Sequence, residues 1–200
     1  MIIEALAALD VIGVISFAFV GVQKARAKNL DVFGAVLLGV LTPIGGGVVR
    51  DFINNTVPYA FANQWYLATA ILAASFFTFL SKNGWKIPKK LVLAGDTIGL
   101  GAFAVVGATV GISAQVGILS TIVYAVLTAT FGGLLSDVLV NNVSFVLNRQ
   151  VYASAAALGA TATFLTVSFG TGAAIAIGFI STIATRTLAI KYNLNLPRMK

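Results

Sequence analysis

Long apolar stretches limit the folds open to this chain more than any other feature. Each runs for about 20 residues, the length that a helix needs to cross a bilayer, and none alternates as β-barrel strands do. Hydrophobic residues make up 58% of the 200 residues and charged residues 10%, too few polar groups for a soluble domain. We predict an all-α polytopic membrane protein with seven transmembrane helices, at residues 3–23, 31–57 with an interruption, 65–81, 91–110, 117–140, 151–167 and 171–190.

The residue types that the sequence lacks exclude several functions. It has no cysteine and no histidine, which removes disulfides, thiolate chemistry, the usual general base and the usual zinc ligand. It also has no P-loop and no GxSxG nucleophile elbow. We expect no enzymatic activity, no cofactor and no metal centre. The start, MIIEALAALD, carries two acids and no basic residue, so we expect no cleaved signal peptide.

The basic residues predict the orientation in the membrane. Seven spans put the termini on opposite sides, and of the 13 Lys and Arg residues all but Arg50 then fall on one side. The positive-inside rule predicts that the N-terminus is outside and the C-terminus is cytoplasmic, with a prokaryotic cell membrane as the default location. The net charge of +7 therefore reflects topology, and we expect no nucleic-acid partner. The basic residues on the cytoplasmic side are Lys24, Arg26, Lys28, Lys82, Lys86, Lys89, Lys90, Arg149, Arg186, Lys191, Arg198 and Lys200.

The chain contains an internal repeat at a constant offset of 86 positions. LDVIGVISFAFVG at 9–21 aligns with GDTIGLGAFAVVG at 95–107, and VLTPIGGGVVRDFINNTV at 40–57 aligns with VLTATFGGLLSDVLVNNV at 126–143. The identical glycine and polar pairs include Asp10/Asp96, Thr42/Thr128, Gly46/Gly132, Gly47/Gly133, Asp51/Asp137, Asn55/Asn141 and Gln64/Gln150.

The repeat predicts the domain organisation. Each copy holds three spans, an odd number, so the second copy must enter the membrane from the other side. Such inverted repeats are typical of transporters and channels, with a solute pathway between the copies. We predict one transmembrane domain, 1–200, with repeat one at about 3–81, repeat two at about 91–167 and a seventh helix at about 171–190.

Glycines cluster in the second span of each repeat. Each glycine weakens a helix by roughly 1 kcal/mol relative to alanine, and Pro43 removes a backbone donor nearby. A kink or a break is expected, and open backbone at membrane depth survives where it lines a watery pathway. The alternatives are close helix packing and a helix C-terminus. The glycines concerned are Gly45, Gly46, Gly47, Gly132 and Gly133.

Acidic residues lie within or near the spans. A carboxylate in hydrocarbon costs several kcal/mol, so it faces the protein interior, pairs or is protonated. The alternatives are a first-turn position for Asp10 and Asp96 and a local pair with Arg50 for Asp51. We expect the pathway to be lined by Asp10, Thr42, Arg50, Asp51, Asn55, Asp96, Thr128, Ser136, Asp137 and Asn141.

The charges of the two halves differ. The first half offers two acids and Arg50, a net charge of −1, and the second offers two acids and Ser136, a net charge of −2. We therefore expect a net negative centre that favours cations.

Six sequence stretches resemble the prokaryotic branch of the trimeric intracellular cation (TRIC) channels, a sequence family that some describe as a glycine-transporter domain. They are FAFVG, GGGVVRD, FAVVG, GGLLSD, YASAAALGA and TRTLAIKYNLNLPR. The resemblance implies two inverted three-helix repeats plus a seventh helix. It also implies a homotrimer in membrane lipid, with a pore for potassium or other monovalent cations such as sodium in each protomer.

The resemblance also implies that the second and fifth spans bend at the glycine motifs and line the pore. This chain departs from the family pattern at Phe131, where glycine is usual, at Ser136, where arginine is usual, and at Ser144, where the first half has Pro58. The first functional hypothesis is a potassium-permeable channel gated at these spans. The alternatives are a secondary transporter of a small, glycine-like solute and a membrane scaffold without transport.

Overall fold

A computed structural model of the chain describes residues 2–85, 87–142 and 151–195, and in these ranges the regular structure is entirely helical. A short 3₁₀ turn, Val167–Phe169, precedes the last helix. The α-helices are α1 (Ile2–Ala27), α2 (Val32–Ile53), α3 (Tyr59–Ala62), α4 (Gln64–Lys82), α5 (Lys89–Ser113), α6 (Ile118–Leu139), α7 (Tyr152–Thr166) and α8 (Thr171–Lys191).

Seven of the helices in the described ranges are long and apolar enough to cross a membrane, namely all but α3. The predicted seven spans are therefore confirmed, with ends that differ by a few residues. The second span ends at Ile53 rather than at residue 57, and the separate helix α3 follows after a turn. The predicted interruption within that span is wrong, since α2 is one continuous helix.

The helices pack as two inverted three-helix repeats with α8 added to the second. Helices α1, α2 and α4 contact one another, and so do their counterparts α5, α6 and α7. The two repeats meet where α1 packs on α5 and α2 packs on α6, so equivalent helices face each other across the pseudo-two-fold axis. Helix α8 packs on α5 and α7, outside the repeated unit.

Residues with left-handed backbone end the equivalent helices of the two repeats. Asn55 after α2 has a φ of 55° and Asn141 after α6 a φ of 52°. In both places the chain folds back so that an N–H donates to an earlier carbonyl, from Thr56 to Asp51 and from Asn142 to Asp137. Asparagine tolerates this conformation better than most residues. Asn55 and Asn141 are exposed at these helix ends, so helix termination accounts for their repetition, and neither lines the two cavities described below.

The repeated glycines form the crossing of α2 and α6. A Cβ on Gly46 would collide with the carbonyl oxygen of Thr128, and a Cβ on Gly132 would collide with the carbonyl oxygen of Thr42. The two contacts are related by the repeat offset. Gly45 also faces this crossing, since its Cβ would lie 3.1 Å from Gly132 Cα. The backbones of α2 and α6 approach so closely because these positions carry no side chain.

This crossing explains why the predicted break is absent. Both α2 and α6 run through their glycines as continuous helices. A broken helix in a bilayer would leave backbone groups without partners, at several kcal/mol each. That cost exceeds the helix-propensity cost of about 1 kcal/mol per glycine. Close helix packing, the alternative reading of the glycines, is therefore the one observed.

Alanine at either crossing glycine is expected to destabilise the fold. The added methyl of Gly46→Ala or Gly132→Ala meets backbone that cannot move aside without separating α2 from α6. Overpacking of this kind costs about 1–3 kcal/mol, measurable as a lower melting temperature in detergent. Gly172→Ala in α8 is the matched control, because no atom lies within 4 Å of its added Cβ. Equal melting temperatures for Gly46→Ala and Gly172→Ala would contradict the crossing.

Candidate permeation pathway

Two cavities lie on opposite sides of the α2–α6 crossing. We call the first the Asp51 cavity; it has a volume of about 470 Å³ and lies between the start of α1 and the ends of α2 and α5. We call the second the Asp137 cavity; it has a volume of about 650 Å³ and lies between the end of α1, the start of α5 and the end of α6. Because the repeats are inverted, these equivalent positions are at opposite ends of the helical bundle.

The two buried threonines at the crossing face different cavities. Thr42 lines the Asp137 cavity and Thr128 lines the Asp51 cavity. Each hydroxyl donates to a carbonyl of its own helix at 2.6 Å, Thr42 to Leu38 and Thr128 to Tyr124. Their hydroxyl donors are thus satisfied within the helices, which lets these polar side chains be buried at the crossing.

An internal ion pair dominates the Asp51 cavity. Arg50 Nη2 lies 2.7 Å from Asp51 Oδ1, and Arg50 Nε donates to the same oxygen at 2.8 Å. The other carboxylate oxygen, Oδ2, accepts a hydrogen bond of 2.8 Å from the backbone N–H of Tyr59, at the start of α3. Both side chains are 7% exposed. The alternative reading of Asp51, a local pair with Arg50, is the one observed.

The remaining polar groups of the Asp51 cavity include one further carboxylate, Asp10, on α1. Asn54 also lines the cavity and accepts a hydrogen bond of 3.3 Å from the Tyr124 hydroxyl. Tyr59, which lies outside the spans, keeps a neutral phenol because burial raises its pKa and the charge of Asp10 raises it further. With two carboxylates and one guanidinium, this cavity carries the net charge of −1 expected for the first half.

The Asp137 cavity contains a cation that the charge count missed. Lys24 reaches from α1 to α6, where its Nζ lies 2.8 Å from Asp137 Oδ1. The same ammonium donates to Ser136 Oγ at 3.0 Å and to the Gly133 carbonyl at 2.9 Å. The sequence pattern explains Lys24 only as a determinant of membrane topology, because nothing in it connects residue 24 to residue 137.

Arg186 provides a second unforeseen cation in this half. It is 0% exposed within α8, and its Nη2 lies 3.8 Å from Asp96 Oδ2. Tyr152 donates to the other Asp96 oxygen at 2.9 Å, and the guanidinium stacks 4.8 Å from the centre of the Tyr152 ring. Arg186, which the charge pattern explains only as a determinant of membrane topology, is therefore also a buried partner of Asp96. The predicted charge of −2 in the second half is wrong, since Lys24 and Arg186 lie against its two acids.

A pair of aromatic rings separates the two cavities. Phe17 lines the Asp137 cavity and Phe103 lines the Asp51 cavity. Their ring centroids are 5.3 Å apart in an edge-to-face arrangement, and they are 2% and 1% exposed. The two residues are equivalent in the repeat, so the pseudo-two-fold axis passes between them. These rings and the α2–α6 crossing lie between the two cavities.

Comparison with known proteins identifies the family. A family model described as "Glycine transporter" matches the chain twice, over residues 7–82 and 93–168, which reproduces the repeat offset. The crystal structure of a prokaryotic TRIC channel in 0.5 M KCl superposes with a TM-score of 0.89 at 32% identity, covering 96% of this chain and 99% of that one. The chain belongs to the TRIC channel family. The match to the "Glycine transporter" family model fits this family.

Other relatives of this TRIC protein cover nearly its whole length. A TRIC trimeric intracellular cation channel orthologue from Rhodobacter sphaeroides has a TM-score of 0.87 and 32% identity, covering 95% of this chain and 99% of that one. The UPF0126 inner membrane protein YadS of Escherichia coli K12 is 31% identical over 194 residues, 94% of this chain and 93% of the relative.

The departures of this TRIC protein from the family pattern have local explanations where the structure describes them. Ser136 is buried, donates 2.9 Å to the Gly133 carbonyl and accepts from Lys24. Lys24 thus supplies the positive charge at the place where the pattern has arginine. Phe131, at the position where glycine is usual, lies within α6, which is a continuous helix. Ser144 lies outside the described residues.

Removing the Arg186 charge is expected to destabilise this TRIC protein. Arg186→Met leaves the buried Asp96 without its guanidinium, and breaking such a pair costs roughly 3–5 kcal/mol. The melting temperature in detergent should fall, and Asp96→Asn in the same chain should restore part of the loss because the charge left behind is gone. Lys191→Met is the control, since it removes an exposed cation from the same helix. Arg186→Met as stable as Lys191→Met would contradict the buried pair.

Proposed function

We propose that the protein is a cation channel with a potassium-permeable pore inside each protomer. The observation that carries the proposal is the pair of cavities, which open at opposite ends of the bundle and approach each other along its pseudo-two-fold axis. A transporter that exposes one site alternately would open one end at a time. The likeness to solved TRIC cation channels supports the same choice.

The charge distribution supports cations as the permeating species on one side. The Asp51 cavity holds two carboxylates and one guanidinium, so it attracts cations to one end of the path. The Asp137 cavity holds Asp96 and Asp137 together with Lys24, Arg26 and Lys89, and Lys24 is the cation placed directly on the acid of α6. Cation entry at that end therefore depends on Lys24.

The gate in this proposal is the α2–α6 crossing, with the Phe17–Phe103 pair beside it. Gly45, Gly46 and Gly132 allow the backbones of the two helices to touch. The same lack of side chains lets the helices slide or bend when they separate. Opening then joins the two cavities past Thr42 and Thr128, whose hydroxyl oxygens line the joined path.

The likeness also supports the assembly and the location. A solved relative is described as trimeric and a curated relative as an inner membrane protein, so we propose a homotrimer in a prokaryotic cell membrane with lipid around it. We keep the orientation from the basic residues, with the N-terminus outside. The Asp51 cavity then opens outward and the Asp137 cavity to the cytoplasm. The unit of function is the whole chain, 1–200, acting without an enzymatic step.

A secondary transporter of a small, glycine-like solute is the second candidate, favoured by the description of the matching family model. Purified protein in a planar bilayer with potassium on both sides separates the two. Unitary currents of channel size that reverse at the potassium equilibrium potential are expected, because ions cross an open path without a conformational cycle for each ion. Silent bilayers together with saturable counterflow of labelled glycine in liposomes would contradict the channel.

Truncating either ring of the aromatic pair is expected to favour the open state. An edge-to-face pair contributes about 0.5–1.5 kcal/mol beyond its buried area. Phe17→Ala or Phe103→Ala should therefore raise the ratio of open to closed time by roughly two- to tenfold, measured in single-channel recordings. Phe79→Ala is the control, because Phe79 is 63% exposed on the outside of the bundle. An unchanged ratio in both ring variants would remove the pair from the gate.

A further inference from the structure

We propose that the end of α6 carries a binding site for a monovalent cation, that the Lys24 ammonium occupies this site in the closed protein, and that potassium takes it when Lys24 withdraws. The inference rests on the proposed channel function and names a site within it. Lys24 is then a tethered cation that competes with the permeating one.

The geometry of the site is that of a cation cradle. One turn of α6 presents three oxygens of different kinds to the ammonium: the Gly133 carbonyl at 2.9 Å, Ser136 Oγ at 3.0 Å and Asp137 Oδ1 at 2.8 Å. An ammonium group has three donors, and this arrangement uses all of them. Potassium also binds carbonyl, hydroxyl and carboxylate oxygens, which replace its water shell. Because an ammonium and a potassium ion are similar in size, a set of oxygens that holds one suits the other.

The cradle is open to the Asp137 cavity. Lys24, Gly133 and Asp137 all line this cavity, and a Cβ on Gly133 would lie 3.9 Å from Lys24 Nζ, so the ammonium lies beside the bare backbone of Gly133. Ser136 adds an oxygen without filling the space. Lys24 is 20% exposed while Asp137 is 6% exposed. The ammonium therefore lies between the buried acid and the cavity, in the position that an ion entering from the cavity would reach.

Comparison with the equivalent position in the first repeat shows why the cation can leave the site on α6 but not its counterpart on α2. There the glycine equivalent to Gly133 is Gly47, and its Cβ would lie 3.8 Å from Arg50 Nη2, so a cation faces the equivalent surface. Arg50 is adjacent in the chain to its acid, Asp51, and donates to it through two nitrogens. A guanidinium held in this way is fixed, whereas Lys24 comes from another helix on a flexible four-carbon stem. The second repeat has exchanged a fixed internal cation for a displaceable one.

Direct binding of a potassium substitute tests the site. Thallium(I) resembles potassium in charge and size and scatters X-rays anomalously. Crystals of Lys24→Met soaked in a thallium salt should show an anomalous peak at the three oxygens, and wild-type crystals should show none there. Absence of that peak in Lys24→Met would overturn the inference.

Thermal melting tests the same site without crystals. Potassium chloride is compared with N-methyl-D-glucamine chloride at equal ionic strength. Lys24→Met should melt roughly 2–4 °C higher in potassium, because a ligand that binds only the folded state stabilises it. Wild type and the exposed-charge control Lys28→Met should not respond, and Asp137→Asn added to Lys24→Met should abolish the shift. Lys24→Ala is measured in parallel in case the methionine variant does not fold. A potassium-independent melting temperature in both would overturn the inference.

Bilayer recordings separate this inference from the channel itself. If wild type conducts and the Lys24 variants bind no thallium, the channel stands and the cation site fails. If the Lys24 variants bind thallium at the three oxygens and neither they nor wild type conducts, the site stands and the channel proposal fails. If both hold, Lys24→Met should carry a larger unitary potassium current than Lys28→Met, since the competing ammonium has been removed.

Discussion

Contact between the backbones of α2 and α6 is the constraint on which the rest of the structure depends. Gly46 meets the Thr128 carbonyl and Gly132 meets the Thr42 carbonyl, so the two inverted repeats touch through main-chain atoms. In a bilayer the hydrophobic effect does little to hold helices together, and close van der Waals packing takes its place. The crossing lies between the two cavities, and it sets the positions of Asp51 and Asp137, about one turn further along each helix.

The charges around the crossing follow one scheme carried out with different residues. Each repeat places an acid after its glycines and a cation against that acid, but Arg50 comes from the same helix and Lys24 from α1. The difference follows from Ser136. Its side chain is uncharged, so it cannot pair with Asp137 as a cation, and it is short, so it leaves space for Lys24. A buried or half-buried acid at membrane depth requires such a partner. The two repeats therefore share an inverted fold but not the same ion pairs. As a result, the Asp51 cavity and the Asp137 cavity differ in net charge.

The length of the apolar stretches was enough to predict the seven spans. The inverted repeat could be predicted because identical residues, such as Asp10 and Asp96 or Gly46 and Gly132, recur at one constant offset and each copy holds an odd number of spans. The role of the glycines could not be decided in the same way, because a kink and a close contact need the same residue. The Phe17–Phe103 pair was present in the aligned stretches but could not be distinguished from chance in so apolar a chain. Lys24 and Arg186 were missed for another reason: their partners are far away in the sequence, and only the packing of α1 on α6 and of α8 on α5 brings them together.

The central claim is that two water-filled cavities open on opposite membrane faces and are separated by the crossing. Because the native chain has no cysteine, single cysteines report directly on access by a membrane-impermeant thiol reagent. The equivalent residues Gln23 and Thr109 line the Asp137 and Asp51 cavities respectively. The account predicts that Thr109→Cys is labelled only from outside and Gln23→Cys only from the cytoplasm, while Ala70→Cys in the 0% exposed core is not labelled. Labelling of Gln23→Cys and Thr109→Cys from the same face, or of neither from any face, would contradict it.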